Sequence, residues 1–403
     1  TGISPQFGGT MVPFFGSGTS SSRTWVVNFG QDSSFAGLVA TANANADGNG
    51  HGSFAYAPPS GYLALCSQNL PDAAIIDGTD NFNTVLYTGN TSTGAGGSQS
   101  ITAVGFQPDF VWLKDRSVAR SNYLQDVIRG TNSQLISNST ADEYTLTNYI
   151  TSFDSDGFSL GDATSANGNG ETFVAWNWKA GGTAASNTDG SITSQVSANT
   201  KAKFSIVTHT GTGSTATVGH GLGVKPDLII HKNRDTAHNW KVYHSSLGAT
   251  KALELDQSTA AVTTSAPFND TEPTSTVMTV SNNQNNQSGD SIVSYVFANT
   301  EGYLKAGSYT GNSNADGTFF FTGFRPAWIL IKRTTDGTYH WRIYDSKRSP
   351  FNEVDDYLSA NLSNAEATGL DIDFLSNGFK IRTSNDDIND SSKNYIYLAF
   401  AEQ

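Results

Sequence analysis

Three stretches of the chain decide how it folds: Gly105-Phe106-Gln107-Pro108 followed by Phe110-Val111-Trp112-Leu113-Lys114, Gly223-Val224-Lys225-Pro226 followed by Leu228-Ile229-Ile230-His231-Lys232, and Gly323-Phe324-Arg325-Pro326 followed by Trp328-Ile329-Leu330-Ile331-Lys332. Each places a glycine and a proline ahead of a short apolar run that ends in lysine. A run of that length, bounded by proline and a charge, reads as a buried strand. Proline fits at the strand entrance, where its missing N–H breaks no ladder bond. Measured from Pro108, Pro226 and Pro326, the unit repeats about every 100 to 120 residues, the size of a sandwich domain rather than of a short solenoid repeat.

The rest of the unit can be read outward from these strands. Each copy opens on a matching tripeptide, Tyr87-Thr88-Gly89, His209-Thr210-Gly211 or Tyr309-Thr310-Gly311. After the apolar run comes an aromatic cluster, at residues 123–126, 240–244 and 341–345, which reads as a second strand. Each copy closes on a further run, at residues 173–178, 292–297 and 395–400. In the first copy Val174, Trp176 and Trp178 alternate with Phe173, Ala175 and Asn177, the two-face period of a strand. The copies also differ: the first carries a Gly94 to Gly97 insertion, and the second lacks the Asp156-Gly157-Phe158 segment.

These features predict an all-β chain of tandem β-sandwich domains. Residues 1–82 stand outside the repeat and read as the C-terminal part of another sandwich whose earlier strands precede Thr1. Residues 83–181 form the first repeat, 182–301 a linker plus the second, and 302–403 the third. The Gly-, Ser-, Thr- and Asn-rich residues 180–190 read as linker or long loop, with Ile192 and Val196 adding an edge strand. Only Thr300-Glu301-Gly302 separates the second and third copies, so those two should pack tightly.

Composition agrees: 40 Gly, 23 Phe, 15 Tyr and 7 Trp in 403 residues, with 15% charged, suit aromatic-filled sheets joined by small polar turns. The net charge of −13 would repel a phosphate backbone, which argues against nucleic acid as partner. No apolar run approaches the roughly 20 residues of a membrane-spanning helix, so no membrane insertion is expected. Cys66 is the single cysteine and follows Leu63-Ala64-Leu65, so it reads as a buried, inert thiol.

Several stretches have the residue types of chemistry without its spacing. The histidines are scattered, and His238 and His244 near Trp240 lack a third ligand for zinc. Asp47-Gly48-Asn49-Gly50-His51-Gly52 resembles a calcium loop, but Pro58 stands where an EF-hand needs its bidentate glutamate, so a glycine-rich turn is the preferred reading. Asp386-Asp387 with Asp390, and Glu353 with Asp355-Asp356, could supply paired carboxylates for glycan cleavage, yet both sit in turn-like segments. Trp240, Trp341 and Tyr123 could stack on sugars, but their equivalent places in the repeats favour core packing. Asn282-Asn283-Gln284-Asn285-Asn286-Gln287-Ser288 and Ser384-Asn385-Asp386 read as exposed loops on a rigid scaffold. No catalytic, cofactor-binding or metal-binding residue is assigned, and the ligand-binding residues stay unassigned.

Residues 191–207, Val218-Gly219-His220-Gly221-Leu222-Gly223-Val224, residues 323–332 and Asn377-Gly378-Phe379-Lys380 resemble repeats of tailed-bacteriophage tail-fibre and virion structural proteins, especially marine ones. The leading segment, with Asn28-Phe29-Gly30-Gln31 and Pro58-Pro59-Ser60-Gly61-Tyr62, is similar to the end of a concanavalin-like or SPRY-like lectin domain. The resemblance implies a non-enzymatic structural protein of a virion appendage, extracellular when assembled, in contact with other virion proteins. It also implies attachment to host-surface glycan. By analogy with phage fibres a homo-oligomer, preferably a trimer, is expected. The competing readings are a glycan-degrading tailspike and a bacterial surface adhesin built from similar modules.

Overall fold

A strand in which every side chain is buried needs a partner on both faces, and this requirement sets the architecture. The computed structural model describes residues 32–35, 37–38, 43–69, 75–92, 96–281 and 283–401. The chain divides into two units, Thr1–Asp72 and Ala73–Gln403. In the first, the strand expected around Trp25-Val26-Val27-Asn28-Phe29-Gly30-Gln31 lies outside the described residues. The described residues of this unit form loops, a single 3-10 turn at Ser67–Asn69 and an antiparallel bridge between Asn45 and Phe54.

The second unit is all β apart from short helical turns. Each repeat supplies one large antiparallel sheet and one small one. In the first repeat the strands Phe82–Thr88, Thr172–Trp178, Phe110–Asp115 and Asn122–Asp126 lie side by side in that order. In the second the equivalent order is Phe204–Thr210, Ser291–Phe297, Leu228–Asn233 and Lys241–His244, and in the third Leu304–Thr310, Asn394–Ala401, Pro326–Arg333 and Arg342–Asp345. The closing run of each copy therefore sits at the centre of its sheet, between the opening strand and the proline-led strand. The small sheets have three strands in the first and third repeats and two, Ala216–Gly219 and Val277–Val280, in the second. The second copy lacks a counterpart of Ile150–Asp154, the strand joined to Gly157–Leu160 through the turn at Asp156, whereas Val277–Val280 takes the place of Gly157–Leu160 itself. Residues 180–190 are not all linker: Ala185–Asn187 pairs with Ser194–Asn199, which joins the second large sheet.

One face of each large sheet packs on its own small sheet. In the first repeat Val111, Leu113, Phe173 and Ala175 meet Ile101, Ile150, Phe158 and Leu160. In the second, Val207, Ile229 and Val296 meet Val218, Met278 and Val280. The opposite faces of all three large sheets meet in one shared cluster. Rings close it pairwise: Phe110 lies 4.2 Å from Tyr295, Phe297 5.9 Å from Phe400, and Trp178 5.7 Å from Trp328, centroid to centroid. The void left at the centre is about 10 Å³ and entirely apolar, so it offers an ordered water no polar partner. The tight packing expected between the second and third repeats thus extends to every pair, and the three sandwiches close on one another as a cycle.

The repeated glycines have steric causes. Gly105, Gly223 and Gly323 have φ of 88°, 70° and 92°, a left-handed turn that costs a residue with a Cβ. At Gly89, Gly211 and Gly311 a Cβ would stand 2.2, 2.1 and 2.3 Å from the carbonyl oxygens of Gly168, Gln287 and Asp390. These oxygens belong to the ends of the short helical turns Thr164–Asn167, Asn283–Asn286 and Asp386–Asn389. The residue two before each glycine reaches the same turn: Tyr87 and Tyr309 donate to the Ala166 and Ile388 carbonyls, and His209 contacts the Asn285 carbonyl through Nε2.

Truncating the shared core should therefore weaken all three repeats. Trp328→Ala is expected to cost about 3–5 kcal/mol in denaturant unfolding of the whole chain, whereas Phe351→Ala, at a side chain 82% exposed, should change stability by less than about 0.5 kcal/mol.

Candidate functional site

The polar chemistry of the second unit concentrates where one repeat meets the next, and it obeys the same cycle. Lys114, Lys232 and Lys332, the lysines that end the apolar runs, are buried. Each Nζ donates to a backbone carbonyl of a neighbouring repeat: Lys114 to Ser363 at 3.2 Å, Lys232 to Thr140 at 3.0 Å and Lys332 to Ser258 at 3.0 Å. Lys332 completes a tripod with the Arg333 and Tyr339 carbonyls at 2.9 and 2.8 Å. Burial pushes the Lys332 amine down to about 7 and Lys114 and Lys232 to about 8. Three carbonyl acceptors favour the ammonium form at Lys332, because a neutral amine has only two N–H donors for them.

The start of the second strand shows the same rotation. Trp240 Nε1 donates to Ile136 O at 3.0 Å, Trp341 Nε1 to Glu254 O at 2.9 Å, and Asn122 Nδ2 to Leu362 O at 2.9 Å. Backbone bonds repeat it once more, from Glu143 N to Arg234 O, Glu366 N to Arg116 O and Ala261 N to Thr334 O.

Charge separates the junctions. Between the first and second repeats Asp126, Arg129, Glu143 and Arg234 form a continuous ionic chain, with contacts of 2.6, 2.8 and 2.7 Å. Tyr295 of the second repeat donates to Asp126 at 2.8 Å. Between the third and first repeats Asp345, Arg348, Glu366 and Arg116 form the same chain at 2.5, 3.0 and 2.6 Å, and Trp176 Nε1 donates to Asp345 at 2.9 Å. The side chains of Asp126, Arg129, Asp345 and Arg348 are fully buried. Burial alone would raise the Glu143 carboxyl, but the Arg234 and Arg129 guanidinium groups outweigh it and hold the group below the usual glutamate range. Between the second and third repeats the four equivalent positions are His244, Leu247, Ala261 and Thr334. All four members are replaced together, as a buried ionic chain requires: losing one partner leaves a stranded charge, whereas losing all leaves none. His244 contacts the Tyr397 carbonyl through Nε2 at 3.3 Å.

Beside this junction, which lacks the ionic chain, lies a polar cleft of about 390 Å³, within the size range of small-molecule sites. Ser246, Leu247 and Lys251 of the second repeat form one wall, and Ser308, Thr335 and Asn394 of the third line the other. Its floor includes Tyr309 and Tyr395, stacked with centroids 4.8 Å apart. Thr335 Oγ1 accepts from Asn394 N, and Asn394 Oδ1 from Thr310. The Lys251 ammonium, the Ser246 and Ser308 hydroxyls and Asn394 Nδ2 have no partner among the described residues. Spacing of residue types could not have found this cleft, since its lining comes from two repeats.

The residues singled out in the sequence take other roles. Trp240 and Trp341 are buried core, and Tyr123 is half-buried with its ring 5.0 Å from Tyr149. Cys66 is half-exposed, correcting the expected burial, because its Leu63 and Leu65 neighbours are themselves exposed. Asp47 spends its carboxylate on the backbone N–H groups of Asn49, His51 and Ala64 and on Asn69 Nδ2, a turn brace rather than a cation cradle. Residues 282–288 are not a plain exposed loop: Asn283–Asn286 is a helical turn in which Asn285 and Asn286 are buried. Asn286 Oδ1 accepts from Thr212 N, as Asn167 and Asn389 accept from Asn90 and Asn312. In the third repeat Asp387 pairs with Arg342 and Asp390 with Arg333, while Glu353 reaches Arg382 and Asp356 holds Ser349. His238 contacts Gln287. Among the described residues no three His, Cys, Asp or Glu side chains gather as a metal-binding set, and no helix is long and apolar enough to cross a membrane.

The fold defines an all-β protein of sandwich repeats closed on a shared core. A domain of unknown function, DUF7483, matches residues 77–403, and the chain belongs to this family. No curated protein matches the chain.

Two outcomes test this reading of the junctions. Arg129→Leu alone should destabilise the protein by about 3–5 kcal/mol by stranding the buried Asp126, while adding Asp126→His, Glu143→Ala and Arg234→Thr should recover most of that loss in equilibrium unfolding. Burial also holds His209 and His244 down to about 4 and His231 to about 3. The folded state keeps these imidazoles neutral while an unfolded chain takes up protons near pH 6.5. Their contribution is intact above that pH and is lost as pH falls towards 4, at about 2 kcal/mol per histidine between pH 6.5 and 5. Unfolding free energies measured across that window should fall, and less steeply in His244→Gln.

Proposed function

We propose that the chain is a non-enzymatic structural component of a bacteriophage tail fibre or related virion appendage, and that it contributes to attachment at host-surface glycan. The observation that carries this reading is where the buried polar groups are spent. Lysines, tryptophan N–H groups and two four-membered ionic chains all fix one repeat against the next. Such an arrangement favours a rigid module that transmits force and presents surface over one that must open to turn over a substrate. The resemblance of the repeats to tail-fibre proteins supports the same reading.

The Asp386-Asp387-Asp390 cluster gives a glycan-cleaving role little support, because Asp387 and Asp390 are neutralised by arginines. A homotrimer remains part of the proposal. Since the threefold arrangement inside each chain is already closed around an apolar core, copies would meet through outer surfaces, with exposed strand edges available for pairing. Electron microscopy of intact particles labelled with an antibody to this chain is expected to place the label on the tail or another surface appendage. Label confined to the surface of the producing bacterium would instead indicate an adhesin.

A further inference from the structure

We propose that the cleft between the second and third repeats is a saccharide site that takes one acidic sugar unit, a pyranose bearing a carboxylate, with Lys251 as the partner of that carboxylate. The proposal deepens the attachment reading and rests on it for its biological use, though not for its chemistry.

The site is built from what the junction lacks. At the other two junctions the position of Leu247 carries an arginine that ties its own repeat to the next through a glutamate, and the position of Thr334 carries the arginine that answers it. With leucine, alanine and threonine in those places no ion pair spans this junction among the described residues, and the cleft of about 390 Å³ stands beside it.

The cleft's unspent groups have a definite chemistry. Ser246 and Ser308 each offer a hydroxyl that can both donate and accept, and Asn394 Nδ2 offers an amide donor, which together suit the mixed donor and acceptor ring of sugar hydroxyls. Lys251 is exposed and makes no ion pair among the described residues. Its ammonium is a point charge that an incoming carboxylate can satisfy. The groups lie on strands and strand ends held by two sheets, so little ordering is needed on binding. A neutral sugar would leave the lysine unanswered, and a long apolar ligand would leave the hydroxyls and amide unpaired, which costs affinity. One small site of this kind binds weakly, and a fibre displaying many copies gains avidity from effective concentration.

The test is ligand-observed NMR on the full chain with glucuronic acid and glucose as probes. Glucuronic acid is expected to bind with a millimolar dissociation constant, and glucose at least tenfold more weakly. Lys251→Ala, at an exposed side chain that the fold does not use, should weaken glucuronic acid at least tenfold, and Ser308→Trp, filling the cleft from an exposed strand position, should abolish binding. Glucuronic acid binding that survives both substitutions would overturn the proposal, as would failure of the unmodified chain to bind it at tens of millimolar. A separate host-cell binding assay distinguishes the two readings. Cell binding that Lys251→Ala leaves unchanged removes the cleft and keeps the attachment role, whereas sugar binding without cell binding keeps the cleft and removes that role.

Discussion

The fold depends on one constraint: the large sheet of each repeat is apolar on both faces, and a repeat owns only one cover for it. Val111 and Leu113 are covered by the small sheet of their own repeat, but Phe110 and Trp112 point the other way. Left alone, that second face would expose several large side chains, each worth about 1.5–3 kcal/mol when buried. Two such faces could stack, but three meet around a point and fill it with rings. The small sheets, the turns and the opening tripeptides follow from placing each large sheet so that both faces are used.

Polar groups were then fitted to a junction that had to be dry. A buried lysine can be kept if carbonyls surround it, and a buried arginine if carboxylates answer it. The first–second and third–first junctions use the ionic solution in full. The second–third junction omits it, and this is the junction whose two sides are joined by the shortest connection, Thr300-Glu301-Gly302. A linker of that length holds its neighbours at high effective concentration, so less must be supplied by side chains. The third–first junction has no direct covalent link and carries a complete ionic chain. The freedom left where no ionic chain is built is what allows an open polar cleft there.

Much of the fold was legible because strand signals are local. The glycine-to-proline spacing, the apolar runs and the closing aromatic strands mark the three copies, and the tripeptides Tyr87-Thr88-Gly89, His209-Thr210-Gly211 and Tyr309-Thr310-Gly311 mark a steric contact that only glycine allows. Closure on a shared core was less visible. Its clue was that Trp112 and Leu113, or Ile230 and Ile229, are adjacent and all apolar, which says that both faces are covered but not by what. The ionic chains could not be found from one copy, since Arg129 and Glu143 are completed by Arg234 of another repeat. Comparing copies does reveal them, because Asp126 and Asp345 have His244 as counterpart while Arg129 and Arg348 have Leu247. Residues 282–288 misled because a run of polar residues signals an exposed loop, whereas Asn285 and Asn286 are buried with their amides bonded to surrounding backbone and, for Asn286, to the Thr212 hydroxyl as well.

The central claim is that the three repeats form one cooperative structure and not three domains on a string. Native-state hydrogen exchange measured against denaturant addresses it directly, because it reports the free energy and the surface exposed for each opening. Amides of Phe110–Asp115, Leu228–Asn233 and Pro326–Arg333 should exchange through a single global opening with one free energy and one denaturant slope. Three separate openings, each with a smaller slope and its own free energy, would contradict the shared core.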